Sequence, residues 1–72
     1  MSSALYRGLS GDFNALAQCS KTKAKAIEKA ISALNESNNP QAEIINLLNS
    51  LHAEEVKFHN NLMMASQRLQ MM

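Results

Sequence analysis

A single run of turn-forming residues, Asn35 to Pro40, divides this chain and limits what it can fold into. The run contains the chain's only proline, and long segments with helical spacing lie before and after it. Proline suits the first position of a helix, and short connections between helices usually join antiparallel neighbours. The sequence therefore predicts an all-α fold, namely a two-helix antiparallel hairpin with residues 35–40 as the hinge.

The length and composition fit one small helical domain, residues 1–72. Leu, Ile, Ala and Met supply most of the apolar residues, as in helix packing, and aromatic residues make up only 4% of the chain. The net charge is +1 and the seven Lys and Arg residues are scattered along the chain. Non-specific DNA binding needs a cluster of about 6–10 phosphate contacts, so we expect no nucleic-acid partner.

The chain shows no membrane or leader pattern. Apolar runs such as Leu62 to Met64 are far below the ~20 residues that a membrane-spanning helix needs, so we expect no stable membrane span. The first residues lack the basic region and apolar stretch of a Sec signal peptide. If the protein is exported, we expect a route that does not cleave such a signal.

The first half of the chain predicts a helix over about residues 12–36. Gly8 and Gly11 lie close together, and each costs a helix about 1 kcal/mol relative to alanine. We therefore expect residues 1–11 to be flexible or to form a separate short helix. Beyond them apolar residues recur at steps of three and four, weakening only between Ser20 and Lys23. This stripe comprises Phe13, Leu16, Ile27, Ile31 and Leu34.

The second half predicts a better-marked helix over about residues 40–71. Pro40 is expected at the first helical position with Asn39 as the N-cap, and Asn38 completes the hinge. A heptad pattern then runs along the helix and is broken in polarity only at Glu55. The pattern comprises Ile44, Leu48, Leu51, Phe58, Leu62, Ala65, Leu69 and Met72.

Further apolar residues lie off this heptad pattern, so the apolar surface is wider than one antiparallel helix can cover. They include Ile45, Leu47, Val56, Met63, Met64 and Met71. In a chain of this size such a surface is a liability unless another molecule covers it. We therefore predict that the chain associates, and that the stripes of both helices form a polymer or partner interface.

A row of lysines marks the first helix. Lys21, Lys25 and Lys29 recur at every fourth position and so share one helix face. The row is either a solvated polar face or a positive strip that faces a lumen, a groove or an acidic partner. Both interpretations stay open from the sequence.

His52, Glu55 and His59 fall on roughly one face of the second helix and come nearest to a metal-binding pattern. A metal site would need further ligands, and the first helix has no His and few carboxylates. No nucleophile stands at a recognisable spacing from a base, and the single Cys19 is expected to pack as a small hydrophobic group. We therefore expect no metal, no cofactor and no enzymatic activity.

Residues 26–43, which include Ala30, Leu34, Asn39 and Pro40, resemble the hinge of type III secretion needle subunits. In that family an Ala- and Leu-rich helix runs into a short turn with Asn or Asp before Pro, and a second long helix follows. The resemblance implies a secreted, self-assembling subunit of a bacterial needle or pilus. Such subunits build a hollow filament on the bacterial cell surface that conducts unfolded effector proteins and serves virulence.

The same resemblance implies the partners of the chain. They would be other copies in a helical homo-polymer, secretion-system chaperones, rod and base proteins, and translocated effector polypeptides. In such needles the C-terminal helix lines the lumen. A second hypothesis stays open, a small cytoplasmic helical chaperone or adaptor that binds one secretion-system subunit through its exposed apolar stripe.

Overall fold

The computed structural model describes residues 3–71, and these form two long helices. Helix α1 spans Ser3–Glu36 and helix α2 spans Ala42–Met71. The helices run antiparallel, since Ser10 near the start of α1 bonds to Ser66 near the end of α2. The resulting rod has Cα extents of 59 × 14 × 11 Å. Over the described residues there is no strand, and the predicted all-α two-helix hairpin is confirmed.

The hinge ends α1 through two hydrogen bonds to one carbonyl group. The backbone N–H of Ser37 donates to the carbonyl oxygen of Leu34 at 3.2 Å, and the Ser37 hydroxyl donates to the same oxygen at 2.7 Å. These bonds satisfy a carbonyl oxygen that the end of a helix leaves without an intrahelical partner. Residues 37–41 then reverse the direction of the chain.

Helix α2 starts about two residues later than the sequence predicts. The backbone N–H of Ile45 donates to the carbonyl oxygen of Gln41 at 2.9 Å, so Gln41 is the N-cap and Asn39 is not. Gln is not a preferred capping residue, so cap preference does not decide this start. We attribute the start to packing, because Ile45 is the first half-buried residue of α2. Glu43 still lies in the first turn, where the helix dipole favours its negative charge.

Helix α1 is continuous where the sequence predicts a break or a separate segment at residues 1–11. Gly8 and Gly11 both lie within the helix, and neither has a positive φ. Their cost of about 1 kcal/mol each is offset by packing, since Tyr6, Leu9 and Phe13 are half-buried along this stretch. The expectation is therefore wrong from residue 3 onwards, and residues 1 and 2 lie outside the described part of the chain.

Burial follows a heptad repeat on both helices, which makes the hairpin an antiparallel coiled coil. On α1 the inward rows are Ser10, Ala17, Ala24 and Ile31, and Tyr6, Phe13, Ser20, Ile27 and Leu34. On α2 they are Ile45, His52, His59 and Ser66, and Leu48, Glu55, Leu62 and Leu69. We call these four rows the inner seam.

The inner seam contains little apolar core. Among the described residues, the buried apolar side chains are those of Ala17 and Ala24 alone, and the larger Leu and Ile side chains of the seam stay half-buried. Three serines, Ser10, Ser20 and Ser66, are as deeply buried as these alanines. Two helices cannot enclose large side chains from all directions, so a single hairpin has limited apolar burial to stabilise it.

Candidate interaction surface

The middle of the inner seam is polar. The hydroxyl of Ser20 donates to the backbone carbonyl oxygen of Glu55 at 2.9 Å and lies 2.5 Å from its carboxylate Oε2. The other carboxylate oxygen of Glu55 lies 2.7 Å from Lys23 Nζ. Hydrogen bonds from Lys23 and then from Ser20 hold the pKa of Glu55 below its ordinary value, and the bond to Glu55 raises the pKa of Lys23. The carboxylate is thus charged and fully engaged.

A second polar cluster lies at the end of the hairpin away from the hinge. The Oγ atoms of Ser10 and Ser66 are 2.8 Å apart, and the Ser66 hydroxyl also lies 3.3 Å from Asn14 Oδ1. Gln70 Nε2 donates to Ser10 Oγ at 3.4 Å. Over the described residues, no buried side-chain polar atom lacks a partner. A polar seam of this kind specifies register more than it adds stability, so it fixes how the two helices align.

The two histidines occupy inward positions of α2. His52 Nε2 lies 3.6 Å from Glu28 Oε1, an ion pair only when the imidazole is protonated. His59 is half-buried and lines a cavity of about 170 Å³ next to Glu55. No group of three His, Cys, Asp or Glu residues within the described ranges could hold a metal ion. Both histidines are half-buried within the inner seam.

One broad side of the hairpin is apolar and exposed. Ile44, Leu51 and Phe58 each lie one residue before an inward position of α2, so they flank the inner seam, with exposed fractions of 46%, 51% and 46%. Leu47 extends this row one turn from Ile44, and Leu16 flanks the seam in the same way on α1. We call these five residues the broad face.

The broad face lies on one side of the inner seam only. Its seam-flanking residues each precede an inward position, and such residues of two antiparallel helices meet on the same side. Residues that follow inward positions meet on the opposite side. The opposite side is marked by Glu28, which pairs with His52, and by the small cavity that Lys21 and Val56 both line. The broad face therefore receives residues from both helices, and the exposed Lys23, which precedes the inward Ala24, lies on the same side.

A second exposed apolar patch lies elsewhere on α2. Val56 and Met63 each follow an inward residue, and Met64 and Met71 lie on the surface of α2 away from α1. Met64 is 54% exposed and Met71 is 86% exposed. We call these four residues the methionine patch. It occupies the half of α2 farther from the hinge, whereas the α2 residues of the broad face occupy the half nearer to it.

The predicted interface residues divide between the inner seam and the exposed surface. Ile44, Leu51, Phe58 and Leu16 are exposed on the broad face. The inner seam contains Leu48, Leu62 and Leu69 on α2 and Phe13, Ile27, Ile31 and Leu34 on α1, all half-buried, and the half-buried Ala65 flanks the seam next to Ser66. Met72 lies outside the described residues. The first set is available to another molecule, and the second already serves the fold.

The predicted polar face is exposed. Lys21, Lys25 and Lys29 are all exposed on α1, and Cys19 is also exposed, contrary to the expectation that its thiol packs as a small hydrophobic group. The thiol is exposed because Cys19 lies two residues beyond the inward Ala17, on the outer surface of α1.

Sequence reasoning missed the buried serines, above all Ser20 with its contact to Glu55. A signal was present, because Ser10, Ala17 and Ala24 are small residues at seven-residue spacing. Small side chains at such spacing mark a face where a second helix approaches closely. The polar partners across the seam, Glu55 and Ser66, are visible only once the register of the two helices is known.

Comparison of the chain with protein-family models, with curated proteins and with solved structures finds no match in any of the three. Within residues 3–71, neither helix combines the length and the apolar character that crossing a membrane requires.

Proposed function

We propose that this chain is a self-assembling structural subunit of a bacterial type III secretion needle or pilus, which forms a hollow filament that conducts unfolded effector proteins. One observation carries the proposal: a hairpin with almost no buried apolar core exposes the broad face and the methionine patch on α2. Exposed apolar surface of this extent on a small chain marks an interaction site. A polymer of copies would cover it.

Covering the exposed apolar side chains would contribute favourable free energy to association. Leu51 and Phe58 are each about half exposed, and fully burying such a side chain is worth about 1.5–3 kcal/mol, so covering the exposed half contributes about 1 kcal/mol each. Several side chains of this kind lie on each surface. Their combined burial is comparable to the few kcal/mol that separate folded from unfolded states of small domains.

The needle or pilus identity is supported by the hinge resemblance at residues 26–43 together with the hairpin architecture. Its partners would be other copies of the chain, the chaperones, rod and base proteins of the secretion system, and the effector polypeptides in transit. The exposed lysine row at Lys21, Lys25 and Lys29 would then be a polar face of the filament, either toward the lumen or toward solvent. The site of action would be the bacterial surface.

The alternative is a cytoplasmic chaperone or adaptor for one secretion-system subunit. The observation in its favour is that a single hairpin satisfies its own buried polar groups. Over the described residues, every buried side-chain nitrogen or oxygen atom has a hydrogen-bond partner. One amphipathic helix of a partner, laid along the broad face, would complete a three-helix bundle. This alternative predicts a complex of fixed stoichiometry and no filament.

Negative-stain electron microscopy of the concentrated protein tests the proposal. We expect filaments in the wild type and none in Leu51→Asp, which places a charge on the broad face. Asn46→Asp is a matched control, since Asn46 is exposed on α2 and lies outside both apolar surfaces. Monodisperse particles of the wild type at every concentration would overturn the proposal, and a complex of fixed stoichiometry with a secretion-system subunit would favour the adaptor.

A further inference from the structure

We propose that neighbouring copies contact each other heterologously, with the broad face of one copy docked on the methionine patch of the next and the two copies displaced along the rod. This inference rests on the proposed self-assembly and specifies its contact. The partner is a second copy of this chain in parallel orientation.

The positions of the two surfaces along α2 set the displacement. The α2 part of the broad face runs from Ile44 to Phe58, and the methionine patch runs from Val56 to Met71. Their centres are about 13 residues apart, which is about 20 Å at the rise of an α-helix. Docking one surface on the other in parallel orientation therefore shifts each copy by about 20 Å relative to its neighbour.

A symmetric contact between two broad faces would cover less of the exposed apolar surface than a heterologous contact. It would cover the broad face of both copies and leave both methionine patches exposed. A heterologous contact covers one surface of each kind at every junction, and a displaced heterologous contact does not close into a dimer. Repetition of this contact gives an open, growing assembly.

Charge is complementary in the displaced arrangement. Glu54 lies beside Leu51 and Phe58 on the broad-face side of α2, and Arg68, at the equivalent heptad position two repeats further on, lies on the outer surface between that side and Met64 and Met71. A shift of about 13 residues brings Glu54 of one copy to the level of Arg68 of the next. Among the described residues, neither side chain has an ion-pair partner within its own chain. Each is thus free to pair across the contact.

Two apolar pairs also match at this displacement, while Ile44 comes to the level of Lys57. Leu51 comes to the level of Met64, and Phe58 comes to the level of Met71. Methionine adapts to irregular surfaces and makes favourable sulfur contacts with aromatic rings. The most exposed methionine of the patch, Met71, is thereby placed against the only aromatic ring of the broad face.

The area of the contact agrees with reversible assembly. The rod presents a side of 59 × 14 Å, and a shift of about 20 Å leaves about 550 Å² of overlap on each copy. A stable pairwise interface buries about 800 Å² per partner, so one such contact is weak. Each inner copy makes two such contacts, with two different neighbours, so each contact stays weak and the assembly depends on their repetition. Assembly should therefore depend steeply on protein concentration.

Cysteine crosslinking in a Cys19→Ser background tests this contact. The variants are Leu51→Cys on the broad face, Met64→Cys on the methionine patch, and Ser50→Cys as a control. Ser50 is exposed on the same side of α2 as Met64 but lies four turns nearer the hinge. All three positions are exposed, and matching circular dichroism spectra would verify that the variants fold like the parent.

On mild oxidation we expect an equimolar mixture of Leu51→Cys and Met64→Cys to give several-fold more disulfide-linked dimer than either variant alone. We expect a chain carrying both substitutions to give a ladder of covalent oligomers. Efficient crosslinking of Leu51→Cys to itself would overturn the heterologous contact, and efficient crosslinking of Leu51→Cys with Ser50→Cys would overturn the displacement. A parent protein that stays monomeric at all concentrations would overturn the proposed self-assembly itself, and the docking contact with it.

Discussion

The hydroxyl of Ser20 lies 2.9 Å from the backbone carbonyl oxygen of Glu55 and joins the two helices where their seam has the least apolar bulk. Ser20 is only 2% exposed, so this contact is sheltered from solvent. A backbone acceptor at this point does not depend on the side chain at position 55. The contact therefore fixes the register of the hairpin, while the Glu55 side chain adds a polar group at a position that a Leu would fill in an ordinary coiled coil.

Replacing Glu55 by Leu should stabilise the hairpin. The substitution puts an apolar side chain at a half-buried heptad position and keeps the Ser20 contact, because the acceptor is a backbone carbonyl. We expect the free energy of unfolding to rise by about 1 kcal/mol. Chemical denaturation followed by circular dichroism measures this change at a concentration where the protein is monomeric. A lower stability of Glu55→Leu would mean that the carboxylate itself holds the helices together.

The ionised carboxylate of Glu55 stabilises the folded state more than its protonated form does, and this difference should be lost in acid. Bonds from Lys23 and Ser20 hold the pKa of Glu55 below its ordinary value of 4.5. A lowered pKa in the folded state stabilises the fold above the ordinary value, and this contribution disappears as the pH falls from 4.5 through the folded-state pKa. We expect the difference in thermal midpoint between wild type and Glu55→Gln to be constant at neutral pH and to shrink below pH 4.5. A difference that does not change with pH would contradict the bonded carboxylate.

The sequence predicts half of the α2 seam and misplaces the other half by one residue. Leu48, Leu62 and Leu69 follow the expected heptad row and lie in the inner seam. The second inward row consists of Ile45, His52, His59 and Ser66, whereas the predicted row is one residue earlier, Ile44, Leu51, Phe58 and Ala65. The predicted residue is the more apolar one in all cases but Ile44. Apolar periodicity favours the larger side chains for the interior.

Periodicity fails here because the middle of the inward face of α1, from Ala17 to Ala24, is made of small and polar residues. Ala17, Ser20 and Ala24 bring α2 close and offer a hydroxyl group, which suits Glu55 and His59 better than Leu or Phe. This preference depends on the register of both helices and so cannot be extracted from either helix alone. The hinge, by contrast, depends on local turn chemistry, and its position between the two helices is predicted correctly.

Replacing either of two leucines of α2 by aspartate should have different effects, one on folding and the other on assembly. Leu62 is half-buried in the inner seam and Leu51 is half-exposed on the broad face. We expect Leu62→Asp to destabilise the hairpin by about 2 kcal/mol or more, because a charge without a partner loses solvation there. We expect Leu51→Asp to leave the helical content of the dilute protein unchanged and to prevent assembly. Far-ultraviolet circular dichroism and light scattering separate the two effects, and equal loss of helix in both variants would contradict this division.

A better N-cap at the start of α2 should stabilise the hairpin. The carbonyl of Gln41 accepts the first bond of the helix, and Ser at this position also offers a hydroxyl oxygen to the free N–H groups of the first turn. We expect Gln41→Ser to raise the free energy of unfolding by about 1 kcal/mol. Asn39→Ser is the matched control and should have little effect, since Asn39 lies outside the helix. A change in stability in Asn39→Ser and none in Gln41→Ser would instead identify Asn39 as the N-cap.

Sedimentation velocity over a dilution series shows directly whether the exposed apolar surface of α2 is covered by further copies of the chain. We expect the wild type to sediment as increasingly large species as the concentration rises, and Leu51→Asp and Met64→Asp to remain monomers of unchanged helical content. A wild type that sediments as a single 7.9 kDa species across the series would contradict self-assembly through this surface.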